Sequence, residues 1–95
     1  MDKLKNEILK FKNDRGWGKE HKPKNLAISI SLEAAELLEH FQWGDDFDVS
    51  EVQDELADVL IYCFYMADVL GVDVSNIIRE KLIKQTDKYP VQEKV

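Results

Sequence analysis

The chain contains one cysteine, two prolines and four glycines, and none of its apolar runs approaches the length of about 18 residues that a membrane span requires. A single cysteine excludes a disulfide framework. Cys63 lies among apolar neighbours, so we expect a buried and inert thiol. The N-terminal stretch is charged throughout, which is unlike a signal peptide. These absences predict a cytoplasmic protein that has no membrane partner.

Positive charge is also scarce. Lysine and arginine number 13 against 19 acidic residues, which gives a net charge of −6 and a pI near 4.8. A protein that binds a nucleic-acid polymer needs a basic face, so this balance argues against such a partner. A single nucleotide held through a metal ion stays compatible with it. At 95 residues, the chain is expected to form a single domain over 1–95.

The apolar residues repeat with the period of a helix, and no segment alternates as a strand does. Residues 2–14 predict an amphipathic helix. The second helix begins with Pro23 and ends near Gln42, and the third begins at Ser50 with a Ser50–Gln53 capping box and ends at Gly71. The fourth is capped by Asp73 and ends at Tyr89. The sequence therefore predicts an all-α fold with four helices.

The second and third helices are apolar around most of their circumference. A chain of this size cannot cover that much apolar surface by itself, and association of identical chains is the common remedy. We therefore expect the helices to pack into a homo-oligomer.

Two acidic pairs interrupt this apolar surface. Glu33 and Glu36 lie three residues apart on the second helix, and Glu55 and Asp58 repeat the spacing on the third, so each pair projects from one helix face. Spacing alone is weak, because acidic residues are a fifth of the chain and other pairs arise for solubility. The position of these two pairs on narrow polar stripes, bordered by packing residues, distinguishes them.

The turn between the helices brings the pairs to matching depth. Glu36 and Glu55 lie about 9 and 8 Å from it, and Glu33 and Asp58 about 13 and 12 Å. A short loop makes the helices antiparallel neighbours, so the four carboxylates can converge. Such a cluster requires a cation, and oxygen ligands favour Mg²⁺, with Mn²⁺ as the other choice.

Further motifs follow in a fixed order along the chain. They are Trp17, His21-x-Pro23-x-Asn25-Leu26, Glu33-x-x-Glu36 with Phe41-Gln42-Trp43, the segment 54–62 (DELADVLIY), Lys81, and Lys88-Tyr89-Pro90. In this order they resemble the all-α nucleoside triphosphate pyrophosphohydrolases of the MazG-like group, most closely the dCTP-pyrophosphatase-like branch. The resemblance implies a four-helix MazG-like bundle. It also implies Mg²⁺-dependent hydrolysis of a nucleoside triphosphate to the monophosphate and pyrophosphate, by a tetramer built from dimers rather than by a dimer.

The resemblance also implies roles for individual residues. The metal ligands are Glu33, Glu36, Glu55 and Asp58. From the residues themselves, Glu36, with Glu33, is the catalytic candidate that orients or deprotonates water, although any of the four carboxylates could serve. The residues that contact nucleotide are Trp17, His21, Asn25, Trp43, Tyr62 and Lys81, together with Gln85 where the family usually has asparagine.

Alternatives from another class stay open at this stage. Tryptophans in small domains usually pack, Lys81 alone would be a solvated lysine, and His21 alone would be a loop histidine. The second hypothesis is a catalytically silent helical oligomer that binds metal or nucleotide, although the presence of all four carboxylates argues against it. Among substrates, the resemblance points to cytosine deoxynucleotides. The base, the sugar, the number of metal ions, the choice between dimer and tetramer, and the choice between pool control and removal of modified nucleotides are left open.

Overall fold

The computed structural model describes residues 2–92. It contains four α-helices, which are α1 Asp2–Asp14, α2 Pro23–Glu39, α3 Val49–Leu70 and α4 Val74–Lys88. Within these residues there is no β-strand, so the all-α prediction and the number of helices are confirmed. None of the helices in this range combines the length and the apolar character needed to span a bilayer.

The turn between α2 and α3 differs from its prediction at both ends. Helix α2 ends at Glu39 rather than near Gln42, because the N–H groups of Phe41 and Gln42 donate to carbonyls three residues back and tighten the chain into a turn. Helix α3 begins at Val49 because Asp48, not Ser50, is its N-cap. The Asp48 carboxylate accepts hydrogen bonds from the Ser50 N–H at 2.9 Å and the Glu51 N–H at 3.2 Å. The predicted capping box was therefore wrong.

The last helix begins and ends as predicted. Gly71 ends α3 in the left-handed conformation at φ +69°, a conformation that glycine adopts without the steric cost of a side chain. Asp73 then caps α4 by accepting a hydrogen bond from the Asn76 N–H at 3.0 Å. Three residues, 71–73, therefore separate α3 from α4.

Helices α2 and α3 form the main packed pair, and α1 packs against α3. The residue pairs across the first interface show that α2 and α3 are antiparallel. His40, next to the turn, lies near Glu51, whereas Glu33, deeper in α2, lies near Glu55 and Asp58. This arrangement brings Glu33 to the level of the acidic pair on α3.

The core of a single chain is small. Among residues 2–92, the buried apolar side chains are Leu26, Tyr65 and Ala67. Helix α4 buries none of its residues. Its exposed apolar side chains are Ile77, Ile78, Leu82 and Ile83, and α2 and α3 also expose Ile28, Leu32, Leu38, Leu56 and Leu60. So much exposed apolar surface is unusual for a chain that acts alone.

Candidate active site

Three of the four predicted carboxylates converge between α2 and α3. Glu33 of α2 and Glu55 and Asp58 of α3 each place one carboxylate oxygen within 4.8 Å of the others. Glu55 and Asp58 are neighbours on one face because they lie three residues apart on a helix. Glu33 reaches them because α2 and α3 are antiparallel.

Two oxygens of this cluster are buried without a partner. Within residues 2–92, no hydrogen-bond donor reaches Glu33 Oε2 or Glu55 Oε2. A buried polar atom normally has a partner, and an unpaired buried carboxylate is costly. The oxygens therefore fit a cation, and an all-oxygen donor set suits Mg²⁺ or Mn²⁺ better than Zn²⁺. Asp58 is exposed, so the cluster is accessible to solvent from the side of Asp58.

The electrostatics of Glu33 agree with this view. The pKa of Glu33 is raised to about 7, chiefly by burial and next by a hydrogen bond between its protonated form and Glu36. The negative charges of Glu36, Asp58 and Glu55 add to the effect. A carboxyl group with this pKa holds its proton near neutrality unless a positive charge replaces it.

Glu36 occupies a different position from the other three. Its side chain is exposed, and it is outside the group of oxygens within 4.8 Å of one another, although it interacts directly with Glu33. Its predicted roles as ligand and as catalytic residue remain predictions.

His40 is a further neighbour of the acidic cluster, and no role was predicted for it from the sequence. Its Nε2 atom lies 3.7 Å from Glu55 Oε1, and its Nδ1 atom lies 3.8 Å from Glu51 Oε2. The available signal was its spacing of four residues from Glu36, which places it on the same polar stripe of α2. That spacing alone could not distinguish it from a surface histidine.

A cavity of about 520 Å³ adjoins the acidic cluster, since Glu33 and Asp58 form part of its wall. The rest of the wall consists mostly of apolar and aromatic side chains from α1, from the loop after α1, and from α3. They are Leu4, Ile8, Phe11, Trp17, Ile61, Tyr62 and Tyr65. Trp17 packs edge-on to Phe11 at 5.7 Å between ring centres, and Tyr62 packs edge-on to Tyr65 at 5.8 Å. The contribution of α1 was missed, because its apolar stripe has the same spacing as any packing face.

A second cavity, of about 410 Å³, shares Trp17 and Tyr62 with the first. The loop Gly16–His21 forms the rest of its wall. This loop is anchored to α1, because the Trp17 N–H donates to the Lys12 carbonyl at 3.1 Å. The structure thus brings the predicted nucleotide-binding residues Trp17, His21 and Tyr62 together beside the acidic cluster.

His21 is held against the core. Its ring lies 4.8 Å from the ring of Tyr65, and its Nδ1 atom is buried with no hydrogen-bond partner among residues 2–92. Burial lowers the pKa of His21, and the positive charge of Lys12 lowers it further. The imidazole is therefore neutral near physiological pH and can donate or accept one hydrogen bond at each nitrogen.

The other predicted nucleotide-binding residues lie elsewhere. Asn25 donates a hydrogen bond from Nδ2 to the carbonyl of Glu20 at 3.0 Å, which ties α2 to the preceding loop. Trp43 is 91% exposed in the turn after α2, and Lys81 and Gln85 lie exposed on α4. The walls of the two cavities, as far as residues 2–92 form them, include none of these four side chains.

The order and geometry of these elements correspond to a known family. The family model described as the MazG-like family matches residues 28–95. The chain belongs to the MazG-like family. This MazG-like chain is also similar to the crystal structure of a pyrophosphatase from Archaeoglobus fulgidus, with a TM-score of 0.86 and 42% sequence identity. That similarity covers 96% of this chain and 93% of the other.

Curated relatives of this MazG-like chain include two mammalian dCTP pyrophosphatases. It is 33% identical to dCTP pyrophosphatase 1 of Rattus norvegicus over 101 residues, which is 96% of this chain. It is 32% identical to dCTP pyrophosphatase 1 of Homo sapiens over 100 residues, which is 95% of this chain. The alignments cover 59% of each relative, so the chain spans less than two thirds of these proteins.

Proposed function

We propose that this protein is a Mg²⁺-dependent nucleoside triphosphate pyrophosphohydrolase, which converts a (d)NTP and water to the (d)NMP and pyrophosphate. The observation that carries the proposal is the juxtaposition of two buried, unpaired carboxylate oxygens, on Glu33 and Glu55, with an aromatic cavity. A triphosphate with its base needs both features. The similarity to a dCTP pyrophosphatase and to a pyrophosphatase supports the same reaction.

The metal would be held by Glu33, Glu55 and Asp58, with Glu36 as the predicted fourth ligand. When bound, Mg²⁺ would neutralise charge on the triphosphate and on the transition state of hydrolysis. The chain itself supplies the fixed ligand geometry. The antiparallel packing of α2 and α3 sets the carboxylates in place before the substrate arrives.

Glu36 is the proposed general base. Its exposure leaves it accessible to water, and its contact with Glu33 places it beside the cluster. Glu36 would take the proton of the attacking water while the water oxygen bonds to a phosphorus atom and the bond within the α–β bridge breaks. Pyrophosphate leaves with the electron pair of that bond.

The base of the nucleotide would occupy the cavity between Trp17 and Tyr62. Both rings line both cavities, so a base that enters either one can contact them. Stacking on an aromatic ring is worth about 1–3 kcal/mol for each base and tolerates different bases. Cytosine deoxynucleotides are the favoured substrates, in pool control or in removal of modified nucleotides.

We also propose that the active form is a tetramer built from dimers. The exposed apolar side chains of α4 need cover, and α4 carries Lys81 and Gln85. A neighbouring chain that covers α4 would contact these two residues. Lys81 could then offset charge on the pyrophosphate in the active site of that chain. Trp43 would likewise contact a neighbouring chain.

The test is product analysis with purified protein, Mg²⁺, and a panel of normal and modified NTPs and dNTPs. We expect monophosphate and pyrophosphate in equal amounts, and ¹⁸O-labelled water would show which phosphorus atom is attacked. Release of orthophosphate instead would contradict the reaction. A folded oligomer that binds Mg²⁺ and nucleotide without turnover would favour the silent binding module.

A further inference from the structure

The large cavity has one carboxylate that does not belong to the metal cluster. Its ionisable acidic side chains are Glu33, Asp58 and Glu7, and Glu7 comes from α1 rather than from α2 or α3. Most of the remaining wall is apolar or aromatic. In ligand sites of this composition, a few polar groups fix the orientation and identity of the ligand. Glu7 is in the position to do so here.

Glu7 is available to a ligand. The side chain is exposed, and within residues 2–92 its carboxylate takes part in no salt bridge or hydrogen bond with another side chain. Lys10, on the same helix, pairs with Asp14 instead. Glu7 also lies one helical turn before Phe11, which packs on Trp17, so it borders the aromatic part of the cavity.

The chemistry of a carboxylate restricts what it can recognise. An ionised carboxylate accepts hydrogen bonds and donates none. Cytosine, adenine and guanine carry an exocyclic amino group that donates, and a carboxylate accepting from the cytosine amino group is an established base contact. Uracil and thymine carry a carbonyl oxygen at the position of the cytosine amine, which a carboxylate would repel.

From this juxtaposition we infer that Glu7 determines base specificity, by accepting a hydrogen bond from the exocyclic amino group of the nucleobase. The inference rests on the proposed function and adds the substrate class, which is amino-bearing bases in preference to uracil and thymine. Glu7 and the aromatic rings thereby have separate roles in binding the base. Trp17 and Tyr62 hold any flat base, and Glu7 discriminates among them.

The experiment compares dCTP with dUTP, a pair of nearly identical shape that differs at the amino group and the adjacent ring nitrogen. We expect the wild-type protein to favour dCTP in kcat/KM by about 10- to 100-fold, the range that one good base contact supplies. Glu7→Gln keeps the shape but offers both a donor and an acceptor. This variant should lower the dCTP/dUTP ratio to about one tenth of the wild-type value or less.

Asp14→Asn is the matched control. It removes one negative charge from the same helix, and Asp14 does not line either cavity, so the ratio should stay at the wild-type value. Both variants should bind Mg²⁺ as the wild type does, because neither touches the acidic cluster. A ratio that falls equally in both variants would mean that the charge of α1, rather than contact with Glu7, sets the preference, and would overturn the inference.

The same experiment separates this inference from the proposed function. An active Glu7→Gln enzyme with an unchanged ratio overturns the role of Glu7 and leaves the hydrolase intact. If the wild type hydrolyses no triphosphate, the proposed function fails, and calorimetric binding of the α,β-imido analogues of dCTP and dUTP decides the role of Glu7. The role of Glu7 is supported if the wild type binds the dCTP analogue more tightly than the dUTP analogue and Glu7→Gln removes that preference. It is overturned if the wild type binds the two analogues equally or binds neither.

Discussion

The Nζ atom of Lys12 lies 3.3 Å from Asp68 Oδ2 and joins α1 to α3 at a point where Lys12 is only 8% exposed. The same ammonium group lies 5.9 Å from the centre of the Tyr65 ring. The Lys12 carbonyl accepts the Trp17 N–H, so this one residue connects the core to the loop that carries Trp17. A buried lysine of this kind needs its partner, because an unpaired charge is costly away from water.

We expect Lys12→Met to lower the free energy of unfolding by about 1–2 kcal/mol. The value lies below the 3–5 kcal/mol typical of a fully buried pair because Asp68 is still partly exposed to water. Lys10→Met is the matched control, since its pair with Asp14 is exposed and should change stability by less than about 0.5 kcal/mol. Urea denaturation at fixed protein concentration measures both. Equal effects of the two variants would contradict the importance of burial.

The pKa of Glu33 predicts a pH dependence of the metal-free protein. The folded pKa of about 7 exceeds the ordinary value of 4.5, so the folded state binds more protons than the unfolded state between these values. Stability should therefore fall as the pH rises from about 4.5 to about 7. Melting curves in a chelator should show this slope, and Glu33→Gln should reduce it. Glu39→Gln, an exposed change on the same helix, should leave the slope unchanged.

Divalent cations should raise the melting temperature through the acidic cluster. On the proposed function Mg²⁺ would bind the folded state, so it should stabilise the wild type in proportion to the logarithm of its concentration above Kd. In Glu55→Gln and Asp58→Asn, this rise in melting temperature should be absent, and activity should fall by at least about 100-fold. Glu51→Gln, one turn earlier on α3 and outside the cluster, should keep both. Retention of the Mg²⁺ shift in both cluster variants would show that the metal binds elsewhere.

Glu36→Gln distinguishes a base from a ligand. If Glu36 is the general base, kcat should fall by about 100- to 10,000-fold while the Mg²⁺-induced rise in melting temperature persists. Loss of that rise together with activity would assign Glu36 to metal binding instead. Full activity in a folded variant would remove Glu36 from both roles.

Complementation tests whether α4 serves a neighbouring site. Lys81→Ala and Glu55→Gln should each be nearly inactive alone, whereas a mixed oligomer made by co-expression should contain some sites with both residues intact. We therefore expect more activity from the mixture than from either variant. Light scattering coupled to size-exclusion chromatography should report a dimer or tetramer, and an active monomer at micromolar concentration would contradict the assembly.

The acidic cluster shows what periodicity can predict. Glu33, Glu55 and Asp58 were placed together by their i, i+3 spacing and by the depth of each pair from the turn, quantities that depend on helix geometry alone. The ends of the turn were less accurate, because Asp48 and Ser50 are both good caps and the choice depends on which side chain reaches the free N–H groups. Despite a difference of one to three residues at the helix ends, three of the four predicted carboxylates converge.

Lys12 and Glu7 show what periodicity cannot predict. Both are charged residues of an amphipathic helix, and the usual expectation for each is a solvent-exposed position. Lys12 is part-buried where it pairs with Asp68, 56 residues later, and Glu7 lines the same cavity as Tyr62 and Tyr65 of α3. Such pairings depend on how α1 packs on α3, and the sequence of one helix carries no record of that packing.

The small core described above also bears on how this protein tolerates change. In most domains of this length, the positions least tolerant of substitution are those hidden within one chain. Here Leu26, Tyr65 and Ala67 are the buried apolar residues within 2–92, whereas large apolar side chains such as Leu38 and Ile83 are exposed in the isolated chain. In the proposed oligomer, selection on Leu38 and Ile83 would act through the contact between copies. A substitution on one side of that contact would then favour a compensating substitution on the other side.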